Sequence, residues 1–175
     1  CSDRETAGRR MVTDLFPPDV PGLSTCGRMD GKTTGLLLMS NDRAWNNAIE
    51  TSATLDQEYR VQVKGEVTDL ELDVIAAGIH LQQMGMFRPE SVKIIEIMNS
   101  RTLMTMVIRQ GKVRQVRRMF STLRHQVTLI RRLRIGEVRL GDLPPGGVRE
   151  LTGQEVERLR LDARGAFEPA PPEAT

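Results

Sequence analysis

Along the middle of the chain apolar and polar residues alternate: Tyr59, Val61 and Val63 are separated by Arg60, Gln62 and Lys64, a period of two that predicts a half-buried β-strand. The period then changes to that of a helix. Thr68 and Glu71 stand at capping-box spacing, Leu70, Val74 and Ile75 follow on one helical face, and Gly78 closes the segment. Val92, Ile94 and Ile97 mark another strand and Leu103 to Ile108 the next, with Asn99 and Ser100 supplying turn chemistry between them. From Arg114 to Leu123 a helix is expected, because Val116, Met119, Phe120 and Leu123 recur at offsets of three and four. Arg114, Arg117, Arg118 and Ser121 then project from the opposite side, giving one core face and one basic face.

The flanks are less regular. Met11 to Gly35 is loop-rich, broken by Pro17, Pro18, Pro21 and several Gly. Leu36 to Ser40 reads as a short buried strand and Asp42 to Ile49 as a short helix capped by Asn41 or Asp42. After the basic helix, Val127 to Ile130 and Val138 to Leu140 read as strands, and Thr152 with Glu155 opens a last helix through Leu159. No internal repeat is present. Strands outnumber helices, and many connections are too short for parallel crossovers, so the expected fold is α+β: a mainly antiparallel β-sheet with flanking short helices. The stretch from Asp162, rich in Pro and Ala, is expected to be disordered, which divides the chain into one domain over 1–161 and a tail over 162–175.

At 175 residues the chain suits one compact domain, and its 39% hydrophobic and 27% charged residues argue against wholesale disorder. No apolar run approaches the roughly 20 residues of a membrane helix. The opening CSDRETAGRR lacks the apolar stretch of a secretory signal, and the missing initiator Met suggests processing or absent upstream sequence. Cys1 and Cys26 are too few for a disulfide-stapled secreted fold, and with only His80 and His125 beside them no metal-ligand cluster can be drawn. A reducing cytoplasm, no metal and a monomer are the expectations.

The net charge of +2 conceals a strong polarity along the chain. Between Ile97 and Gly136 lie ten basic residues and no acid, while the rest of the chain carries a net −8. Nine of those ten are Arg, which suits forked contacts to phosphate and stacking on bases, so a polyanion, RNA or DNA rather than a membrane surface, is the expected partner. The alternative is a merely solvated basic face. Candidate chemistry is sparse. In CGRMDGKTTGLLLMSND, Cys26 to Asp42, the pair Asp30–Gly31 is an ordinary turn on local sequence. With Arg28 close by and an apolar strand following, the same loop could mount an ionised carboxylate at a sheet edge. Tyr59, the only Tyr, is either a core residue or a ring on which an extruded base stacks. His80, His125, Trp45 and the methionines read as structural.

The Cys26 to Asp42 string resembles the GRLD-x-x-T-x-GLLLLTND motif of the RsuA-type ribosomal RNA pseudouridine synthase family, and RQGKVRQVRRMF, Arg109 to Phe120, resembles its EGR-x-RQVRRMF motif. QEYRVQVKG, Gln57 to Gly65, is similar to the family's K-x-Y-x-V-x-V-x-G strand, and LIRRLRIGEVRLGDLPPGGVRELT, Leu129 to Thr152, to its closing segment. The blocks occur in order across Met11 to Leu159. Carried over, the resemblance implies a catalytic domain with Asp30 as catalytic Asp, Tyr59 as stacking Tyr, Arg117 as the basic partner of the carboxylate and Ile130 packing under the base. Arg28, Lys112, Arg114, Arg118, Arg131 and Arg132 are the expected contacts to ribosomal RNA, and no cofactor is implied. The QEYRV string points to the large-subunit branch. Departures are Met29 for Leu, Arg43 for Gly, Gln110 and Lys112 for the Glu and Arg of EGR, and Arg124 for Gly; a His-Pro before the Tyr strand is missing. Many relatives carry an N-terminal accessory RNA-binding domain that this sequence does not show, so the chain reads as a catalytic domain cut inside its first strand or as a relative without that domain.

The implied chemistry suits these residue types. Uridine becomes pseudouridine by breaking the bond from the sugar to nitrogen 1, rotating the uracil and rejoining it through carbon 5, with no redox step. A carboxylate serves as nucleophile toward sugar or base, or as a base removing a sugar proton, and each role needs it ionised beside a cation. A non-catalytic RNA-binding or ribosome-assembly protein is the rival reading. A DNA-binding module is weaker, since no recognition helix or dimer pattern is seen.

Overall fold

In the computed structural model, residues 11–16, 20–109 and 113–165 are described. After a short 3-10 turn at Val12–Leu15, the elements run β1 (Ser24–Thr25), β2 (Thr33–Gly35), β3 (Met39–Ser40), α1 (Arg43–Thr51), β4 (Gln57–Lys64), α2 (Asp69–Ala77), β5 (Ile79–Leu81), β6 (Gly85–Phe87), β7 (Ser91–Met98), β8 (Arg101–Ile108), α3 (Val113–Thr122), β9 (Val127–Ile135), β10 (Val138–Arg139) and α4 (Gly153–Ala163). Six strands form one sheet, ordered β10-β9-β4-β8-β7, with β2 added alongside β9. Every pairing in it is antiparallel except β2 with β9. The α+β, mainly antiparallel architecture is as expected.

The alternation in β4 places Tyr59, Val61 and Val63 on a buried face with Met104 and Met106 of β8 and Ile130 of β9. Helix α3 covers this face with Val116, Met119 and Phe120, each at most 1% exposed. Burying such side chains contributes roughly 1.5–3 kcal/mol each, which is why the basic helix is held firmly on the sheet. A second cluster joins Leu36, Leu38, Trp45, Ile49, Leu55 and Leu159, so α1 and α4 pack around the other end of β9.

Capping chemistry sets the helix starts. Asp42 accepts the Ala44 and Trp45 amides at 2.9 and 3.0 Å, and Thr68 with Glu71 and Thr152 with Glu155 form capping boxes. Asn99 and Ser100, with φ 45° and 59°, make the two-residue hairpin turn between β7 and β8.

Several expectations are corrected. Of Leu70, Val74 and Ile75, Ile75 is buried as expected, but Leu70 and Val74 are 74% and 42% exposed, because α2 turns Leu72 toward the core beside Ile75. The strand expected at Leu36–Ser40 splits: pairing occurs at Thr33–Gly35 and at Met39–Ser40, while Leu36 and Leu38 bury between them. β9 continues through the Arg-rich Arg131–Arg134 to Ile135, and α4 runs to Ala163 rather than stopping at Leu159. The rest of the tail lies outside the described residues. No described helix is long and apolar enough to cross a membrane.

Candidate active site

Asp30 ends the loop that leads into β2, and its carboxylate is used on both sides. Oδ1 accepts the Lys32 amide at 2.9 Å and the Thr33 hydroxyl at 2.8 Å, while the Thr33 amide donates to the Asp30 carbonyl at 3.0 Å. This is an Asx turn, so the turn reading of Asp30–Gly31 holds. Oδ2 faces away from the turn and accepts Arg117 Nε at 3.1 Å, and Arg117 Nη2 donates to the Lys32 carbonyl at 3.0 Å. The Asp30 side chain is 19% exposed, so it remains reachable from solvent. Burial pushes its carboxyl up, but the Thr33, Arg117 and Lys32 hydrogen bonds with the Arg117 charge outweigh that and hold it below the ordinary 3.8. The arrangement is an ionised oxygen poised by a guanidinium, suited to nucleophilic attack or proton abstraction.

β2 mounts this turn on β9, along the edge of the sheet. Thr33 is in register with Ile130, and Gly35, at φ 104°, lies so close to β9 that an added Cβ would sit 2.7 Å from the Arg132 amide nitrogen. Only Gly permits that approach. Arg132 reinforces the pairing at the next residue: its carbonyl accepts the Leu36 N–H at 2.9 Å, and its side-chain Nε donates to the Leu36 carbonyl at 2.7 Å. Expected among the RNA contacts, Arg132 is instead 5% exposed and serves as an internal staple. Its Nη1 donates to Gln57 Oε1 at 3.2 Å, the oxygen that also accepts the Tyr59 hydroxyl at 2.7 Å, and its buried Nη2 has no partner among the described residues.

Tyr59 is therefore a core ring, 1% exposed, whose hydroxyl is held beside Arg132. Its phenol is raised mainly by burial, with Arg132 opposing the rise and Asp30 adding to it, so both charges lie within electrostatic reach of Tyr59. Ile130, also 1% exposed, belongs to the same cluster as Tyr59 and lies in register with Thr33 on one side and Val61 on the other.

The basic residues distribute unevenly. Arg114 and Arg118 are exposed on α3, and Arg118 Nη1 donates to the Gln82 carbonyl at 3.4 Å. Arg28 is exposed in the loop before Asp30, and Lys112 lies outside the described residues. Arg131 falls between two buried residues of β9, in register with the exposed Arg60 and Thr34, so it points from the opposite face of the sheet. Arg109 and Arg134 are paired with Asp56, Glu90 and Glu58, acids that lie far off in sequence. Beside Arg117 opens a hollow of ≈ 310 Å³, lined also by Ser121, Arg124, His125, Gln126 and Val127. Sequence reasoning missed Thr33, Gln57 and this hollow. Only Thr33 had a local signal, its spacing three residues after Asp30.

Residues 8–122 match the family model described as RNA pseudouridylate synthase. The ribosomal large subunit pseudouridine synthase B of Bacillus subtilis is 33% identical over 160 residues, covering 90% of this chain and 65% of that protein. The ribosomal small subunit pseudouridine synthase A of Vibrio parahaemolyticus is 33% identical over 162 residues, covering 91% and 69%. A crystal structure of a pseudouridylate synthase superposes with a TM-score of 0.73 at 29% identity, over 85% of this chain and 64% of that one. The chain thus spans about two thirds of the length of these relatives.

Proposed function

The chain belongs to the RNA pseudouridylate synthase family, and from that premise we propose that it converts uridine to pseudouridine in ribosomal RNA with Asp30 as its catalytic carboxylate. The observation that supports this reading most directly is the Asp30 Oδ2 to Arg117 Nε contact of 3.1 Å, which sets a partly exposed carboxylate against a cation of the basic helix face.

In this reading the glycosidic bond between C1′ and N1 breaks, the freed uracil turns, C5 bonds to C1′, and the proton displaced from C5 is balanced by one gained at N1. Asp30 acts either on C1′ or the base as nucleophile, or as the base that removes a sugar proton, and Arg117 stabilises its charge throughout. A stacked uridine cannot reach the carboxylate, so the nucleotide is extruded at a cost of a few kcal/mol, offset by phosphate contacts from Arg114, Arg118 and Arg28. Ile130 and Tyr59 supply the apolar floor under the uracil. Since the Tyr59 ring is 1% exposed, stacking on it requires covering side chains to move aside as the base enters.

Relatives named for each ribosomal subunit match this chain, and the QEYRV strand leads us to favour large-subunit RNA, modified in the cytoplasm. Carbodiimide mapping of pseudouridine in ribosomal RNA from cells with and without the protein tests this. One site missing from large-subunit RNA is the expected result. An unchanged pattern in both subunits leaves only an RNA-binding role.

A further inference from the structure

The hollow beside Arg117 contains a residue that local backbone preference disfavours. Helix α3 ends in a Schellman arrangement, with the His125 amide donating to the Phe120 carbonyl at 2.8 Å and the Arg124 amide to the Ser121 carbonyl at 3.0 Å. The residue at Arg124's position in this motif adopts a left-handed backbone, and Arg124 has φ 62°. Gly enters that conformation freely, whereas a side chain does so at a conformational cost. A long cation is nevertheless present there, exposed and lining the hollow.

The surroundings suit an anion. Helix C-termini repel negative charge through unsatisfied carbonyls, but here the Phe120 and Ser121 carbonyls are occupied by the motif itself. None of the lining residues is acidic. Glu71, whose carboxylate meets His125 Nε2 at 3.1 Å, is tied down by the Thr68 cap at 2.9 Å and does not line the hollow. His125 Nδ1 is committed to the Lys64 carbonyl at 2.9 Å, so the imidazole forms a fixed wall. Arg117 belongs to the hollow on one side and to Asp30 on the other. The hollow is thus separated from the carboxylate by one side chain, Arg117, which suits it to a phosphate flanking a nucleotide that reacts at Asp30.

We propose that this hollow binds a backbone phosphate adjacent to the target uridine, with Arg124 as a substrate-binding residue that grips it through its guanidinium fork and Ser121 as a second donor. The proposal rests on the RNA reading above and adds a contact for which the left-handed backbone at Arg124 is tolerated.

The test uses a fluorescein-labelled RNA stem–loop with uridines in its loop, titrated at several salt concentrations against the wild-type chain, Arg124→Gly and Arg124→Lys, with thermal unfolding measured alongside. Arg124→Gly should unfold at the wild-type temperature or above it, yet bind roughly threefold to tenfold more weakly, its salt slope shallower by about 0.7–0.9. Arg124→Lys should keep the slope but bind less tightly than wild type, having lost the fork. Wild-type affinity and slope in Arg124→Gly would overturn the proposal. If the slope depends on Arg124 but no ribosomal RNA is isomerised, the synthase reading falls and the phosphate site stands. If isomerisation occurs and the slope ignores Arg124, the reverse holds, and a wild-type chain that binds no RNA removes both.

Discussion

Asp30 and Arg117 stand 87 positions apart in sequence and meet at 3.1 Å, joining a turn before the parallel strand to the middle of the basic helix. Arg117 also holds the Lys32 carbonyl at 3.0 Å, so one side chain fixes both the charge and the backbone of the turn.

Asp30→Asn preserves an acceptor for the Lys32 amide and the Thr33 hydroxyl while removing the charge. Thermal unfolding should stay within about 1 kcal/mol of wild type, and pseudouridine formation should fall by about 10²–10⁴-fold or more. Tritium release from RNA labelled at uridine carbon 5 measures this. Activity near the wild-type level would falsify the catalytic role of the carboxylate.

Arg117→Met removes two of the causes that lower the Asp30 carboxyl, its hydrogen bond and its charge, while burial continues to raise it. The acid limb of the pH–rate profile should therefore move to higher pH. Stability should change with the matching sign. In the wild type the lowered native pKa gives a contribution that is fully present above the ordinary 3.8 and lost as pH falls through the lowered value, and this acid-side loss should shrink in the variant. Profiles of rate and of unfolding temperature against pH check both, and an unmoved acid limb would mean that Arg117 does not tune the carboxylate.

Arg114 and Arg118 lie exposed on the α3 face away from the core. Replacing both with Ala should weaken RNA binding at every sequence tested and flatten the dependence of log K on log salt by about 1.5. Fluorescence anisotropy across a salt series reads the slope directly; a slope equal to wild type would mark this face as solvated only.

Gly35→Ala should be severely destabilising although Gly35 carries no side chain to take part in the chemistry. Its φ of 104° is unfavourable for a side chain, and the new Cβ would collide with the Arg132 backbone. A loss on the order of 3 kcal/mol, or roughly 10 °C in Tm, is expected by circular dichroism. A melting temperature equal to wild type would show that β2 can separate from β9 at little cost.

Legibility followed the range of the interactions. Caps such as Thr68 with Glu71, the alternation of Tyr59, Val61 and Val63, and the α3 stripe are local and could be read directly. The β5–β6 hairpin was not seen because its strands are three residues each, too short for a period, and its turn uses Gln83 at φ 63° instead of Gly. Arg132 reads as surface charge because its partner, the Leu36 carbonyl, is 96 positions away. The same blindness made the run from Ile97 to Gly136 look wholly unpaired, whereas Arg109 and Arg134 find acids in and beside β4 and at Glu90. Asp30 itself carried no distinctive local mark; its resemblance to a longer motif singled it out, and the Arg117 contact gives that choice a physical basis.

The parallel pairing of β2 with β9 also carries an entropic cost. It closes a span in which Thr34 reaches Ile130 across 96 positions, a closure that costs more chain entropy than the two-residue turn between β7 and β8. Asp30 stands three residues before that strand, in the turn that leads into it. An opening of this ladder alone would therefore part Asp30 from Arg117 while β4, β8 and β7 stay paired and the basic helix stays on the sheet, so the ion pair is only as durable as three residues of parallel pairing.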